Sequence, residues 1–235
     1  MLRVLQSAAA AMTAEQVRAD LIAHNLANAQ SSGFHRLVVA VRPGPETVLH
    51  RRDTGVGLGS LAGAPAEPQA TVDPRPGVLV PTGDPRDLAV EGEGFVVLEG
   101  GRLASSGRLG VDPEGYLTLR GIRVEGREGP IRVGSAAFTV RSDGAVVVEG
   151  QVVGRLRLAR AASLSLAGPS LYRAPQAALQ DVSGAVRTAF QEQPAVNPVQ
   201  ELVQLIAGLR AYEAAVKCVQ VADEIMGRRS EVLRI

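Results

Sequence analysis

Glu91 and Glu93 stand two residues apart, a spacing that puts two carboxylates on one side of an extended strand, and Gly92 and Gly94 alternate with them. Paired carboxylates can do general acid and base work, and a G-x-G turn is the opening of a phosphate-binding loop. Neither pattern is complete. Like charges at that spacing are ordinary for a solvent-facing strand edge, and no helix-opening G-x-G-x-x-G follows the run. His24, His35 and His50 lack the i, i+4 spacing of a helical metal site. Cys218 is the only cysteine, which excludes an intramolecular disulfide or a cysteine metal cluster and leaves it a packing role. The charges, 25 basic against 24 acidic, leave a net of +1, with no field to gather nucleic acid or anionic lipid. With three Tyr, four Phe and no Trp, stacking platforms are scarce as well. The expectation is a protein that is not an enzyme, with no catalytic, cofactor-binding or metal residues, no cofactor, no nucleic acid and no small-molecule substrate.

The elements therefore carry the function. A chain of 235 residues can bury a real core, and it has no apolar run long enough to cross a membrane as a helix. Residues 2–28 contain no Gly or Pro and are rich in Ala, Leu, Arg and Gln, so they predict a helix that Gly33 ends. Gln6 and Ser7 interrupt the apolar run that a cleavable signal requires, so this helix is expected to be retained. Leu2, Leu5, Ala9, Met12, Gln16, Ala19, Ala23 and Leu26 alternate by three and four, the seam of a coiled coil. Ala10, Ala14, Val17 and Leu21 make a weaker stripe on the other side.

The other end is similar. Asn197, Pro198 and Gln200 form a variant capping box and predict a helix from Pro198 toward Ile235. One of its seams is Leu205, Leu209, Tyr212, Val216, Val219, Asp223, Met226, Ser230 and Leu233; a second holds Ala207, Ala211, Ala214, Cys218, Val221 and Ile225. One partner cannot cover both. The middle offers no other long helical pattern, so the missing neighbours are expected to be other copies. Between the helices, residues 36–175 read as β structure, with strands at Phe95–Leu98, Tyr116–Leu119, Phe138–Val140, Val146–Val148 and Gln151–Leu158 and a hairpin turn at Asp143-Gly144. The Pro- and Gly-rich section at about 43–76 reads as a loop or extended arm.

Three stretches carry a resemblance. Asn25-Leu26-Ala27-Asn28 followed by Ser31-Ser32-Gly33-Phe34-His35-Arg36 resembles the signature of the flagellar rod and hook family, in which an N-L-A-N core ends the first helix and a T-x-G-F-[KR] turn follows. Gly83-Asp84-Pro85-Arg86-Asp87-Leu88-Ala89-Val90 through Gly94-Phe95 is similar to its G-N-x-x-D-L-A-I-x-G-x-G-F strand. Asn197 to Ile206 with Arg210-Ala211-Tyr212-Glu213 is similar to its N-V-x-x-x-E-x-V-x-x-I-x-x-x-R-A-Y-E helix. Ser31, His35 and Gln193-Pro194-Ala195 depart from the usual Thr, the usual Lys or Arg, and the usual Gly-Ser.

The resemblance implies a rod-type axial subunit, proximal or distal, exported through the flagellar type III apparatus without cleavage and placed in the periplasm-spanning basal body. It implies partners among its own copies and the other rod and hook subunits. The alternatives are a hook-type or other axial subunit, a non-flagellar fibre former such as an adhesin, or an enzyme built on the β domain. The expected fold class is α+β: terminal helices, within 1–35 and 176–235, forming a coiled-coil-like core domain, and a central all-β domain over 36–175. The expected assembly interface is Leu5, Met12, Asn25, Leu26, Asn28, Leu205, Leu209, Tyr212, Val216, Val219, Ile225 and Met226, with Gly33 and Phe34 as the turn. Asn25 and Asn28 are placed to bond the last carbonyls of the first helix, a role that coincides with an ordinary C-terminal cap. Arg210 with Glu213 is a candidate i, i+3 pair.

Overall fold

Two helices flank a large set of antiparallel strands in the computed structural model, which describes residues 2–40, 47–51, 53, 55–61, 68–175 and 178–232. Helix α1 runs Leu2–Ala27, the stretch without Gly or Pro, and gives way to turns before Gly33. Helix α2 runs Pro198–Val232 and opens on the proline, whose fixed φ and missing N–H suit a first helical position.

The strands build two main sheets. A five-stranded sheet has the order Ile122–Arg123, Leu117–Leu119, Ser106–Val111, Asp87–Val90, Val186–Thr188. A six-stranded sheet has the order Ser165–Gly168, Leu171–Arg173, Arg102–Ala104, Phe95–Leu98, Leu158–Ala161, Leu179–Asp181. Phe138–Val140, Ala145–Val148 and Gln151–Arg155 form a three-stranded meander, so the apolar run predicted over 151–158 is divided between two sheets. Asp87–Val90 and Phe95–Leu98 are buried at every position, which is why residues 88–90 and 95–98 read as unbroken apolar runs rather than alternating ones. Leu88, Val96, Leu98, Leu117, Leu119 and Val146 are fully buried in one apolar cluster. Each contributes roughly 1.5–3 kcal/mol by leaving water.

The chain divides into two units. One comprises Asn25–Leu37 and Thr71–Pro198 and holds both main sheets. The other comprises Met1–His24, Val38–Ala70 and Val199–Ile235, with nearly all of both helices. Within the section read as an arm, Thr47–His50 and Gly57–Leu61 pair as an antiparallel hairpin, and Gln69–Val72 is a further strand. Residues 41–46 and 62–67 lie outside the described ones.

The expected coiled-coil-like core domain is corrected by this structure. The described residues form two helices and a large β-rich part, and the apolar core is made mainly by strands. In the helical unit Leu209 is 52%, Tyr212 36% and Ile225 48% exposed, so the α2 seams are not closed by α1. Met12, Leu205, Val216 and Val219 are half-buried, while the side chains of Leu5 and Met226 lie outside the described residues. The reason is the thinness of the seams. Three of the eight seam positions of α1 are Ala and one is Gln, and the close approach of α1 to α2 is polar: a Cβ at Gly208 would meet Glu15 Oε2 at 3.1 Å. A single Ala-rich helix cannot cover a partner that is apolar on two sides.

Candidate functional site

The turn after α1 is fixed by side chains that substitute for backbone partners. Asn25, 1% exposed, donates from Nδ2 to Leu37 O at 3.0 Å and accepts from Leu37 N at 2.9 Å through Oδ1. Its amide thus acts as one more rung of strand pairing and ties the last turn of the helix to the start of the strand Leu37–Ala40. Asn28 O accepts from Ser31 N at 2.9 Å, and Asn28 Oδ1 accepts from Ser31 Oγ at 3.4 Å. Leu26 is half-buried. Gly33 sits at φ +65°, a conformation that side chains disfavour, and a Cβ there would lie 3.2–3.3 Å from Arg120, Ser105 and Ser106. Phe34 is 1% exposed.

This turn is stitched to the segment that leads into α2. Gly33 N donates to Glu192 O at 2.8 Å, Ser32 Oγ donates to the same carbonyl at 3.2 Å, and Ala195 N donates to Phe34 O at 3.0 Å. Underneath lies a buried polar knot. Tyr172 Oη donates to Gly33 O at 3.0 Å and accepts from His35 N at 2.6 Å, so one hydroxyl satisfies two buried backbone groups. The His35 ring is 3.1 Å from Asp73 O at Nδ1 and 3.2 Å from Ser105 Oγ at Nε2, and it packs against the Phe95 and Tyr172 rings with centroids 5.2 Å away. Glu192 Oε1 accepts from Gly77 N at 2.6 Å and lies 3.5 Å from His35 Nε2. Arg120 donates from Nε to Ser106 O at 2.7 Å and from a terminal nitrogen to Ser32 O at 2.5 Å.

Burial raises the Glu192 carboxyl, but the His35 imidazole, Ser105 and the Gly77 amide outweigh it and hold the group below its ordinary value. Burial pushes the Tyr172 phenol well up, so it stays a donor. Burial also lowers the Arg120 guanidinium, against the favourable fields of Tyr172 and Glu192. A carboxyl depressed in the folded state stabilises the fold above its unfolded value of 4.5 and loses that contribution as pH falls through the lower folded value. Stability against urea should therefore drop on acidification from about pH 4.5 downward, and Glu192→Gln should flatten that part of the profile. An unchanged acid limb in the variant would remove Glu192 as its source.

The arrangement is a clamp rather than a reaction centre. It holds two chain segments side by side with buried hydrogen bonds, and its carboxylate, phenol and imidazole are all enclosed. The sequence pointed to Gly33 and Phe34, which the structure places in the clamp, but not to Ser105, Arg120, Tyr172 or Glu192. No local signal marks those residues, because their partners lie far away in sequence. Glu91 and Glu93, the candidate paired carboxylates, instead face Arg187 and Arg160 in separate ion pairs. Arg210 and Glu213 are both exposed on α2, with no ion pair between them among the described residues.

The helical unit presents the other feature. Leu202, Val203, Ile206 and Leu209 are 49–61% exposed on one side of α2, while the half-buried Gly208, which approaches Glu15 of α1, lies on the other side, at about 100° of rotation per residue.

Both features fall where known proteins are similar. The family described as "Flagellar basal body rod FlgEFG protein C-terminal" matches residues 187–230, which take in Glu192 and most of α2. The flagellar basal-body rod protein FlgF of Caulobacter vibrioides is 30% identical over 246 residues, covering 92% of this chain and 91% of that protein. FlgF of Salmonella typhimurium is 29% identical over 90% of both chains, and the basal-body rod protein FlgG of Borreliella burgdorferi is 27% identical over the whole of both. With similarity running through both helices, the turn and the strands between them, the chain belongs to the family of flagellar basal-body rod proteins.

Proposed function

We propose that this protein is a structural, non-catalytic subunit of the bacterial flagellar basal-body rod, polymerising through α1 and α2 with its own copies and with other rod and hook subunits into a helical axial tube that transmits torque. Membership of the rod family supports the rod assignment. The same membership supports placement in the basal body and passage through the flagellar type III export apparatus. The observation that carries the polymerisation reading is the exposed row Leu202, Val203, Ile206 and Leu209 on α2. Burying what remains exposed of those side chains would contribute on the order of 3–6 kcal/mol per copy, enough to matter when it repeats along a tube. Leu26, Met12 and the half-buried seam residues of α2 extend the interface, and Asn25 and Asn28 fix the direction in which α1 ends.

The test is a chromosomal Leu202→Asp, Ile206→Asp double variant. Purified basal bodies should lack the variant and motility should be lost, while the melting of the purified protein stays near that of the parent because both positions are exposed. Incorporation at the parental level would overturn the interface. Intact rods in a strain lacking the gene would overturn the rod assignment itself.

A further inference from the structure

The strand Phe138–Val140 ends its three-stranded sheet, with no strand beside its outer side among the described residues. Its ladder to Ala145–Val148 pairs Phe138 with Val148, Thr139 with Val147 and Val140 with Val146. Arg141 N donates to Ala145 O at 2.9 Å, and antiparallel pairs alternate between bonded and non-bonded, so Thr139 bonds inward while the N–H and C=O of Phe138 and Val140 point away from the sheet. This strand lines an open groove of about 960 Å³, which residues 84–86 and 110–114 also line. Small residues, Gly110, Gly134, Ser135, Ala136 and Ala137, also line it.

The charges of the groove are unequal in what they lack. Asp84 pairs with Arg108 at 2.6 Å, and Asp112 and Glu114 both pair with Arg123 at 2.6 and 2.5 Å. Arg86 and Arg132 also line the groove, both exposed, and neither takes part in an ion pair among the described residues. Three acids thus share two guanidiniums, and with Arg86 and Arg132 counted the cluster carries one positive charge in excess.

We propose that this groove is a docking site for an extended acidic segment of a partner protein, which adds as a strand to Phe138–Val140 and places carboxylates on Arg86 and Arg132. The free N–H and C=O groups supply the main-chain bonds of strand addition. The guanidiniums supply fork-shaped donors that match carboxylates, and they select against basic segments. The site lies in the β-rich unit and uses none of the helical surface.

A synthetic acetylated and amidated peptide of alternating Val and Glu, three of each, is the probe, titrated against the full-length protein by fluorescence anisotropy. Saturable binding is expected, weakened at least about tenfold by N-methylation of alternate peptide amides, by Lys in place of Glu, or by the Arg86→Glu, Arg132→Glu double variant. Both arginines are exposed, and an unchanged melting curve of the double variant would separate lost docking from lost fold. Equal affinity for the N-methylated peptide would overturn strand addition. Full affinity of the double variant would overturn the charge selection, and no saturable binding of the acidic peptide would overturn the site. These results leave the rod assignment untouched, since that rests on α2 and family membership.

Discussion

Replacing Glu192 by Ala should lower the stability of the β-rich unit by about 3–5 kcal/mol, the combined cost of a void in a packed interior and a buried amide left without its acceptor. Glu192 is 2% exposed, and its Oε1 is the acceptor for Gly77 N at 2.6 Å. Alanine would leave that amide without an acceptor, the His35 imidazole without a carboxylate beside it, and a void where the side chain stood. A melting midpoint roughly 10 °C lower is expected for a chain of this size. Glu192→Gln keeps an acceptor oxygen for Gly77 and removes only the charge, so it should fall between the parent and Glu192→Ala. The same ranking should appear in hydrogen exchange at Gly33 and Ala195, whose amides bond across the clamp. If Glu192→Ala melts within a degree or two of the parent, the carboxylate does not hold the clamp.

The second large effect is expected at Gly77, for a purely steric reason. A Cβ built there would lie 1.9 Å from the backbone oxygen of Gln193, closer than any real contact permits. The two segments are drawn together by Gln193 N donating to Val78 O at 2.8 Å and by the Gly77 to Glu192 bond. Gly77→Ala must therefore push 77–78 and 192–193 apart and break at least one of those bonds. Overpacking costs about 1–3 kcal/mol and an unmade buried hydrogen bond a further 1–3 kcal/mol, so a loss of about 3 kcal/mol or more is expected in urea unfolding. A control at Gly83 separates crowding from flexibility: it sits at φ +77° with open space around its Cβ, so Gly83→Ala should cost only the milder backbone strain. Equal losses at the two positions would mean that the Gly77 contact is relieved cheaply.

Both effects converge on one structural idea. The segment after α1 and the segment before α2 are joined to each other by Gly33, Ser32 and Phe34 on one side and Glu192 and Ala195 on the other. Within the β-rich unit, force on either chain segment would be shared by these buried hydrogen bonds. A single flexible linker would not share it.

The sequence by itself determined the elements whose causes are local. Absence of Gly and Pro across 2–27 and a proline at 198 located both helices, and apolar runs bounded by turn residues located Phe95–Leu98 and Phe138–Val140 within the β region. Short motifs around Asn25, Gly33 and Arg210 carried the family resemblance. Periodicity also showed that α2 is apolar on more than one side. It did not say what covers those sides, and the expected coiled-coil core failed there, because a seam records how apolar a face is and not which surface closes it. The clamp was invisible for a related reason: Tyr172 meets Gly33 across 139 residues and Glu192 meets Ser32 across 160, and no pattern within a helix turn or a strand registers such a pairing. Local conformational preference acts over a few neighbouring residues, whereas burying His35, Tyr172 and Glu192 together is decided only when the sheets bring distant strands to one place.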